Sequence, residues 1–207
     1  TCAMVGAVPK RFGWTGNTVN LRTYFRMARG MAAYLDRAAV PAMEMTKWFD
    51  TNYHYIVPEF EVGMEFRGLG STKPIDEFLE AKALGITTRP VLLGPVSFLL
   101  LGKEKGGARR FEMLWSLLIP AYARILQKLA HAGATWVQLD EPCLVGDLTE
   151  DAQRLYQHTY HQFSMLERPK LLLATYFGGL GENLPLAMGL EVDGLHVDLV
   201  RAPEQLD

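Results

Sequence analysis

The stretch Thr135–Pro142, Thr-Trp-Val-Gln-Leu-Asp-Glu-Pro, decides how this chain reads. Its apolar members suit a short strand, closed by Asp140, Glu141 and Pro142. The same pattern recurs on either side. Lys170–Tyr176 (KLLLATY) is a strand that ends in Thr175, Tyr176 and the glycine turn Phe177-Gly178-Gly179. Val192–Val200 (VDGLHVDLV) places His196 and Asp198 near its end. Upstream, Arg89-Pro90-Val91-Leu92-Leu93 is a buried strand expected to break into a loop at Gly94-Pro95.

Helical spacing fills the gaps. Ser71-Thr72-Lys73-Pro74 starts a helix with a capping hydroxyl and an early proline, carrying Ile75, Phe78, Leu79 and Ala83 to a stop at Gly85. Phe111, Leu114, Leu118, Tyr122, Ile125 and Leu129 predict an amphipathic helix over 111–131, kinked or divided by Pro120. Asp151–Leu166 and Glu182–Gly189 supply two more. Strand and helix alternate, so the strands are expected to be parallel, joined by right-handed crossovers.

A further strand is expected at Tyr53–Val57, within Glu44–Glu59 (EMTKWFDTNYHYIVPE). A polar set (Glu44, Thr46, Lys47, Asp50, Asn52) runs into this aromatic segment, which stops at Pro58. Five strands are expected near Tyr53, Val91, Trp136, Leu172 and Leu195, and polar residues cluster at the carboxyl ends of the last three: Asp140 and Glu141, Thr175 and Tyr176, His196 and Asp198. The expected fold is α/β, a partial (β/α)8 TIM barrel treated as one domain over 1–207. Five strands are too few to close a barrel. The chain begins Thr-Cys-Ala and stops just after a strand-like run, so it is expected to be a fragment. Residues 1–43 are hard to assign; Leu21–Tyr34 reads as a helix or as a loop interrupted by Gly30.

The 207 residues are 49% hydrophobic and 21% charged with a net charge of −2, which excludes a disordered chain and gives no electrostatic reason for nucleic acid or an anionic membrane as partner. Lys103, Lys105, Arg109 and Arg110 form a small cluster expected on a loop and helix start. No apolar run approaches the roughly 20 residues that span a bilayer. Cys2 and Cys143 make no disulfide framework, which suits a reducing, cytoplasmic setting. No glycine-rich phosphate loop is present.

Several groups could carry chemistry. Asp140 and Glu141 are adjacent, so the strand pleat sends them to opposite faces unless the Pro142 turn redirects one. Either a catalytic carboxylate or one that fixes the loop fits. His196 and Asp198 share a face by strand spacing and could hold a metal or form an acid–base pair. His158 and His161 are three apart on a helix but lack a matching thiol or carboxylate. Two distant cysteines do not make a thiolate zinc site, so no metal is expected here. Lys47, near Trp48, Tyr53 and Tyr55, suits an anionic ligand or is an ordinary surface lysine.

The blocks EMTKWFDTNYHYIVPEF, RPVLLGPVSFLLLGK, WVQLDEPCLV, LLLATYFGGL and GLHVDLV, in this order, resemble the N-terminal domain of cobalamin-independent methionine synthase. That resemblance implies part of a longer, two-barrel methyltransferase moving a methyl group from 5-methyltetrahydropteroyltriglutamate to homocysteine. It implies zinc and a homocysteine pocket in a C-terminal barrel outside this sequence. No catalytic residue is then expected here. Where the catalytic half carries a His and a Cys after its strand, this chain reads Ala174-Thr175-Tyr176-Phe177. Lys47 matches a lysine that meets the folate's polyglutamate carboxylates. Trp48, Asp50, Asn52, Tyr53, Asp140, Glu141, His196 and Asp198 are possible supporting residues. The alternatives are a non-catalytic binding or structural barrel segment, and an independent barrel hydrolase or lyase using Asp140 or His196.

Overall fold

In the computed structural model the described residues are all except 17, 34–37, 67–68, 110, 112–113 and 207. The expected end of the first helix at Tyr34, Arg110 of the basic cluster and residues 112–113 of the long helix lie outside them. The elements in order are α1 (Cys2–Val5), α2 (Leu21–Arg29), β1 (Met45–Lys47), β2 (His54–Ile56), β3 (Glu59–Glu61), α3 (Lys73–Ala83), β4 (Val91–Leu93), α4 (Pro95–Leu100), β5 (Lys103–Lys105), α5 (Ile119–Ala132), β6 (Trp136–Asp140), α6 (Glu150–Ser164), β7 (Lys170–Ala174), α7 (Leu184–Met188) and β8 (Gly194–His196). They fall into two compact units, Thr1–Ser71 with Leu101–Ala121, and Thr72–Leu100 with Tyr122–Asp207.

The second unit holds a four-stranded sheet ordered β4-β6-β7-β8, parallel throughout. The pleat divides its side chains. Leu92, Val137, Leu139, Leu171 and Leu173 are buried. Trp136, Gln138 and Asp140 on the alternate face of β6 are half-buried, and Val91 stays 53% exposed. Tyr122, Ile125, Leu126 and Leu129 of α5 and Leu155, Tyr156, Tyr160 and Phe163 of α6 join the buried side. Tyr122 donates to the Leu93 carbonyl at 2.7 Å, and the Tyr160 and Phe163 rings meet edge-on at 5.9 Å. Parallel strands with helical crossovers agree with the α/β reading. Barrel closure is not seen among the described residues.

Local chemistry explains the helix ends. Thr149 caps α6 through the Ala152 N–H, and Asn20 caps α2 through the Thr23 N–H. α2 is a true helix and stops at Gly30, whose φ of 72° favours glycine. Thr72 does not cap α3; its hydroxyl turns to Asp76 instead. At Pro120 the helix changes character: a π-helical turn, Leu114–Leu118, precedes α5, because the proline cannot donate an N–H to the preceding turn.

Three expectations need correction. Tyr53–Val57 is not a parallel barrel strand; β2 pairs antiparallel with β1 in a hairpin. Met45–Lys47 is the partner strand, and the intervening residues close a turn without any glycine. The Thr51 hydroxyl donates to the Trp48 carbonyl at 2.7 Å and accepts from the Tyr53 N–H, and Phe49 takes a φ of 51°. Secondly, Gly94-Pro95 opens α4 rather than a loop, since proline at the first helical position sacrifices no hydrogen bond. Thirdly, Lys103 and Lys105 lie on β5, which pairs in parallel with β3 in the first unit.

Gly94 has a definite reason to be glycine. A Cβ there would sit 2.2 Å from the Glu141 carboxyl carbon. Gly94→Ala should therefore lower stability by about 1–3 kcal/mol, as overpacking of a full core does, which urea unfolding would read as an earlier midpoint with an unchanged slope.

Candidate functional site

The hairpin in the first unit carries Lys47. Its register pairs Met45 with Ile56, Thr46 with Tyr55, and Lys47 with His54. Opposed residues of an antiparallel pair share a face, so Lys47 and His54 stand side by side. Both are exposed, as are Asp50 and Asn52, and Tyr53 is 80% exposed. Trp48 is held edge-on to Phe49 and to Tyr55, each at 5.2 Å. Tyr55 donates to the Leu101 carbonyl, and Lys103 is taken up by Glu44 at 2.7 Å. Among the described residues Lys47 has no such carboxylate partner. At the base of the hairpin, Ile56 packs on the cluster of Val8, Phe12, Met27 and Met43.

A second set of polar groups lies at the carboxyl ends of β6, β7 and β8, in the other unit. Asp140 and Glu141 part company there. Glu141 is fully buried and receives four donors: the Val96 and Ser97 N–H groups at 3.2 and 2.7 Å, and the Tyr156 and Tyr160 hydroxyls at 3.2 and 2.9 Å. Burial pushes its carboxyl above the ordinary range, against the pull of those donors. Asp140 lies on the half-open face, accepting from the Gln138 amide at 2.7 Å and from the Tyr176 hydroxyl at 3.2 Å. Partial burial raises its carboxyl too, opposed by those hydrogen bonds and by the charges of His196 and Arg89.

His196 and Asp198 do not form a pair. His196 ends β8 with its Nδ1 3.1 Å from the Thr175 carbonyl. Asp198 lies beyond the strand, where its carboxylate accepts the N–H groups of Phe177, Val200 and Arg201. The Arg201 bond leads in holding its carboxyl below the usual value. His161 meets Glu191 at 2.6 Å, and burial lowers His158. Sequence reasoning missed Ser97, Tyr156 and Tyr160, and had placed Tyr176 at its strand end without pairing it to Asp140. The i, i+4 tyrosines on a buried helix face were the available signal, since a buried phenol needs a partner.

A family profile described as "Cobalamin-independent synthase, N-terminal domain" matches residues 1–207. The chain belongs to this family. Similar curated relatives are named 5-methyltetrahydropteroyltriglutamate–homocysteine methyltransferase. The Chelativorans sp. protein is 57% identical over 98% of this chain and 27% of its own length, that of Caulobacter vibrioides 51% over 100% and 28%, and that of Salinibacter ruber 54% over 100% and 27%. The chain thus spans little more than a quarter of these relatives. Among solved structures, a chain from Listeria monocytogenes overlaps 58% of this chain and 42% of itself, at TM-score 0.49 and 20% identity.

The donors among the described residues do not suit a zinc ion, which the family resemblance places outside this sequence. Among the described residues no three His, Cys, Asp or Glu side chains are grouped as ligands. Asp198 is committed to backbone N–H groups. Burial pushes the Cys143 thiol up to about 12, so a thiolate is costly there. No helix among the described residues is long and apolar enough to cross a membrane.

Two outcomes follow from these environments. Cys143 should resist a thiol reagent at pH 8 in the folded chain and react fully on denaturation; mass spectrometry of the labelled peptide distinguishes it from Cys2. Asp198, with a depressed folded pKa, contributes stability that is present above the ordinary carboxylate value of about 3.9 and lost as pH falls through its folded value. Urea midpoints between pH 7 and 3 should therefore fall less steeply at the acid end in Asp198→Ala than in the wild type.

Proposed function

We propose that this chain is the segment of a 5-methyltetrahydropteroyltriglutamate–homocysteine methyltransferase that grips the anionic tail of the folate substrate and braces the catalytic part. Zinc chemistry on homocysteine then belongs to residues outside this sequence, in a second barrel that partners it. A cytoplasmic setting goes with that reading.

The observation that carries the proposal is Lys47. Its ammonium is exposed on a hairpin fixed by Trp48, Thr51 and Tyr55, and no acidic partner consumes it among the described residues. The neighbouring Lys103 is neutralised by Glu44, so charge is left over at one place. An ammonium with three donors on an edge rich in aromatic surface suits a chain of carboxylates. Trp48 and Tyr53 supply flat surface, and Asp50 and Asn52 lie in the turn that holds the two strands together.

The strand ends of the other unit offer less to a substrate. Glu141 is spent on internal donors, and Asp198 on its own loop. Asp140 and His196 remain as supporting positions at most.

Lys47→Ala in the complete synthase should raise KM for the triglutamate substrate with kcat little changed. Loss of a charge-assisted hydrogen bond of about 1.5–3 kcal/mol corresponds to a factor of about 10–100. A monoglutamate substrate should be nearly unaffected. Equal losses with both substrates would reject the tail-binding role.

A further inference from the structure

The loops that follow β6 and β7 enclose a cleft of about 280 Å³ in the second unit. Val145, Leu148 and Leu180 give it apolar wall, and Asp147, Glu182 and Asn183 give it oxygen acceptors. Among the described residues no lysine, arginine or histidine lines it.

Asn183 is only 8% exposed, and its Nδ2 donates to the carbonyls of Leu144 and Gly146, each at 2.8 Å. Two carbonyls on the nitrogen settle which end of the amide is which. Both N–H donors are then spent, and the planar amide turns Oδ1 away from those carbonyls, toward the cleft that the residue lines. Asn183 also stands immediately before α7, where an asparagine oxygen commonly accepts a helix N–H, yet it makes no such cap. Among the described residues Oδ1 has no donor, although its side chain is more than nine-tenths buried. Acceptors in so buried a residue are normally satisfied, and this one is served by a ligand that brings a donor.

The two carboxylates are equally uncommitted. Both are exposed, and neither Asp147 nor Glu182 has an ion-pair or hydrogen-bond partner among the described residues. Carboxylates near a helix start often serve its first turn, but Thr149 fills that role for α6. Two negative charges and a neutral acceptor therefore meet at one cleft with no cation of the chain among them.

We propose that this cleft binds a primary alkylammonium, whose three N–H donors go to Asn183 Oδ1, Asp147 and Glu182 while its methylenes lie on Val145, Leu148 and Leu180. An ammonium has three donors and no acceptor, which matches three acceptors and no cationic side chain. A calcium ion matches less well, because it takes six to eight oxygens at close range and gains nothing from apolar wall. The ammonium belongs to a free amine or to a lysine side chain of a polypeptide, and the recognition chemistry is the same for both.

Titration of the 207-residue chain with n-butylamine hydrochloride at constant ionic strength, followed by calorimetry and amide NMR shifts, tests this. Saturable shifts should centre on the Gly146, Gly181 and Asn183 backbone amides, and the Asn183 side-chain amide should move with them as its oxygen gains a donor. Asp147→Asn and Glu182→Gln should each weaken binding by about three- to tenfold, with the urea midpoint unchanged because both side chains are exposed. Methylamine should bind about tenfold more weakly than n-butylamine, since it lacks the methylenes that meet the apolar wall. An acetylated Gly-Lys-Gly amide that binds as tightly as n-butylamine assigns the cleft to a lysine side chain, and one that binds more weakly assigns it to a free amine. Unchanged affinity in both carboxylate variants overturns the proposal, as does an Asn183 side-chain signal that stays still at saturation. Methylamine binding as tightly as n-butylamine, or calcium chloride displacing n-butylamine at equal concentration, would reduce the cleft to a site for charge alone and overturn it too.

Discussion

A buried carboxylate receiving four hydrogen bonds organises the second unit. Glu141 leaves the end of β6 and bridges to the first turn of α4 and to two tyrosines on α6. An ionised carboxylate offers about four lone-pair sites, and here each oxygen receives one backbone N–H and one hydroxyl. Stripping water from such a group costs several kcal/mol, and only a full set of donors offsets that. The geometry therefore constrains its neighbours. Gly94 must lack a side chain so that the carboxyl can approach, and the α4 amides must point at it. Ser97 extends the network by accepting from the Cys143 N–H at 3.1 Å. The Gly-Pro-Val and Asp-Glu-Pro motifs, 46 residues apart between Gly94 and Asp140, are thus two halves of one contact.

The strand pleat then separates two adjacent acids into two jobs. Glu141 shares the parity of Val137 and Leu139 and is sealed among helices. Asp140 shares the parity of Trp136 and Gln138 and stays on the half-open face, with Tyr176 as partner. Burial raises both carboxyls, yet only one lies where a solute could meet it. A raised carboxyl is therefore no sufficient mark of a reactive site: in Glu141 it accompanies an internal brace.

Much of the second unit was legible. Val91–Leu93, Trp136–Asp140 and Lys170–Ala174 are short apolar runs bounded by turn residues, and each is a strand of the parallel sheet. The hairpin was not. Its turn uses a threonine hydroxyl and a phenylalanine at positive φ where sequence signals look for Asn-Gly or Asp-Gly. The parallel pair of Glu59–Glu61 with Lys103–Lys105 was equally invisible, because charged strands lack the apolar alternation that marks a half-buried one. The spacing of His196 and Asp198 misled for a related reason. The strand ends at His196, so the period-two rule no longer governs residue 198.

Polar groups sort this chain more sharply than its fold does. In the second unit the strand-end acids are satisfied internally: Glu141 by helix amides and phenols, Asp198 by three N–H groups, Asp140 by an amide and a phenol. Polar groups consumed in this way rigidify a scaffold and leave little free energy for a ligand. On the hairpin the balance is reversed. Lys47 and His54 stand side by side in water on a strand pair whose other face is tied down by Tyr55 and by the Glu44–Lys103 ion pair. An exposed ammonium with no carboxylate partner among the described residues adds little to the stability of the isolated fold. The ammonium left unspent there is what the proposed grip on an anionic tail would use, whereas Glu141 and Asp198 at the strand ends of the sheet already have their donors.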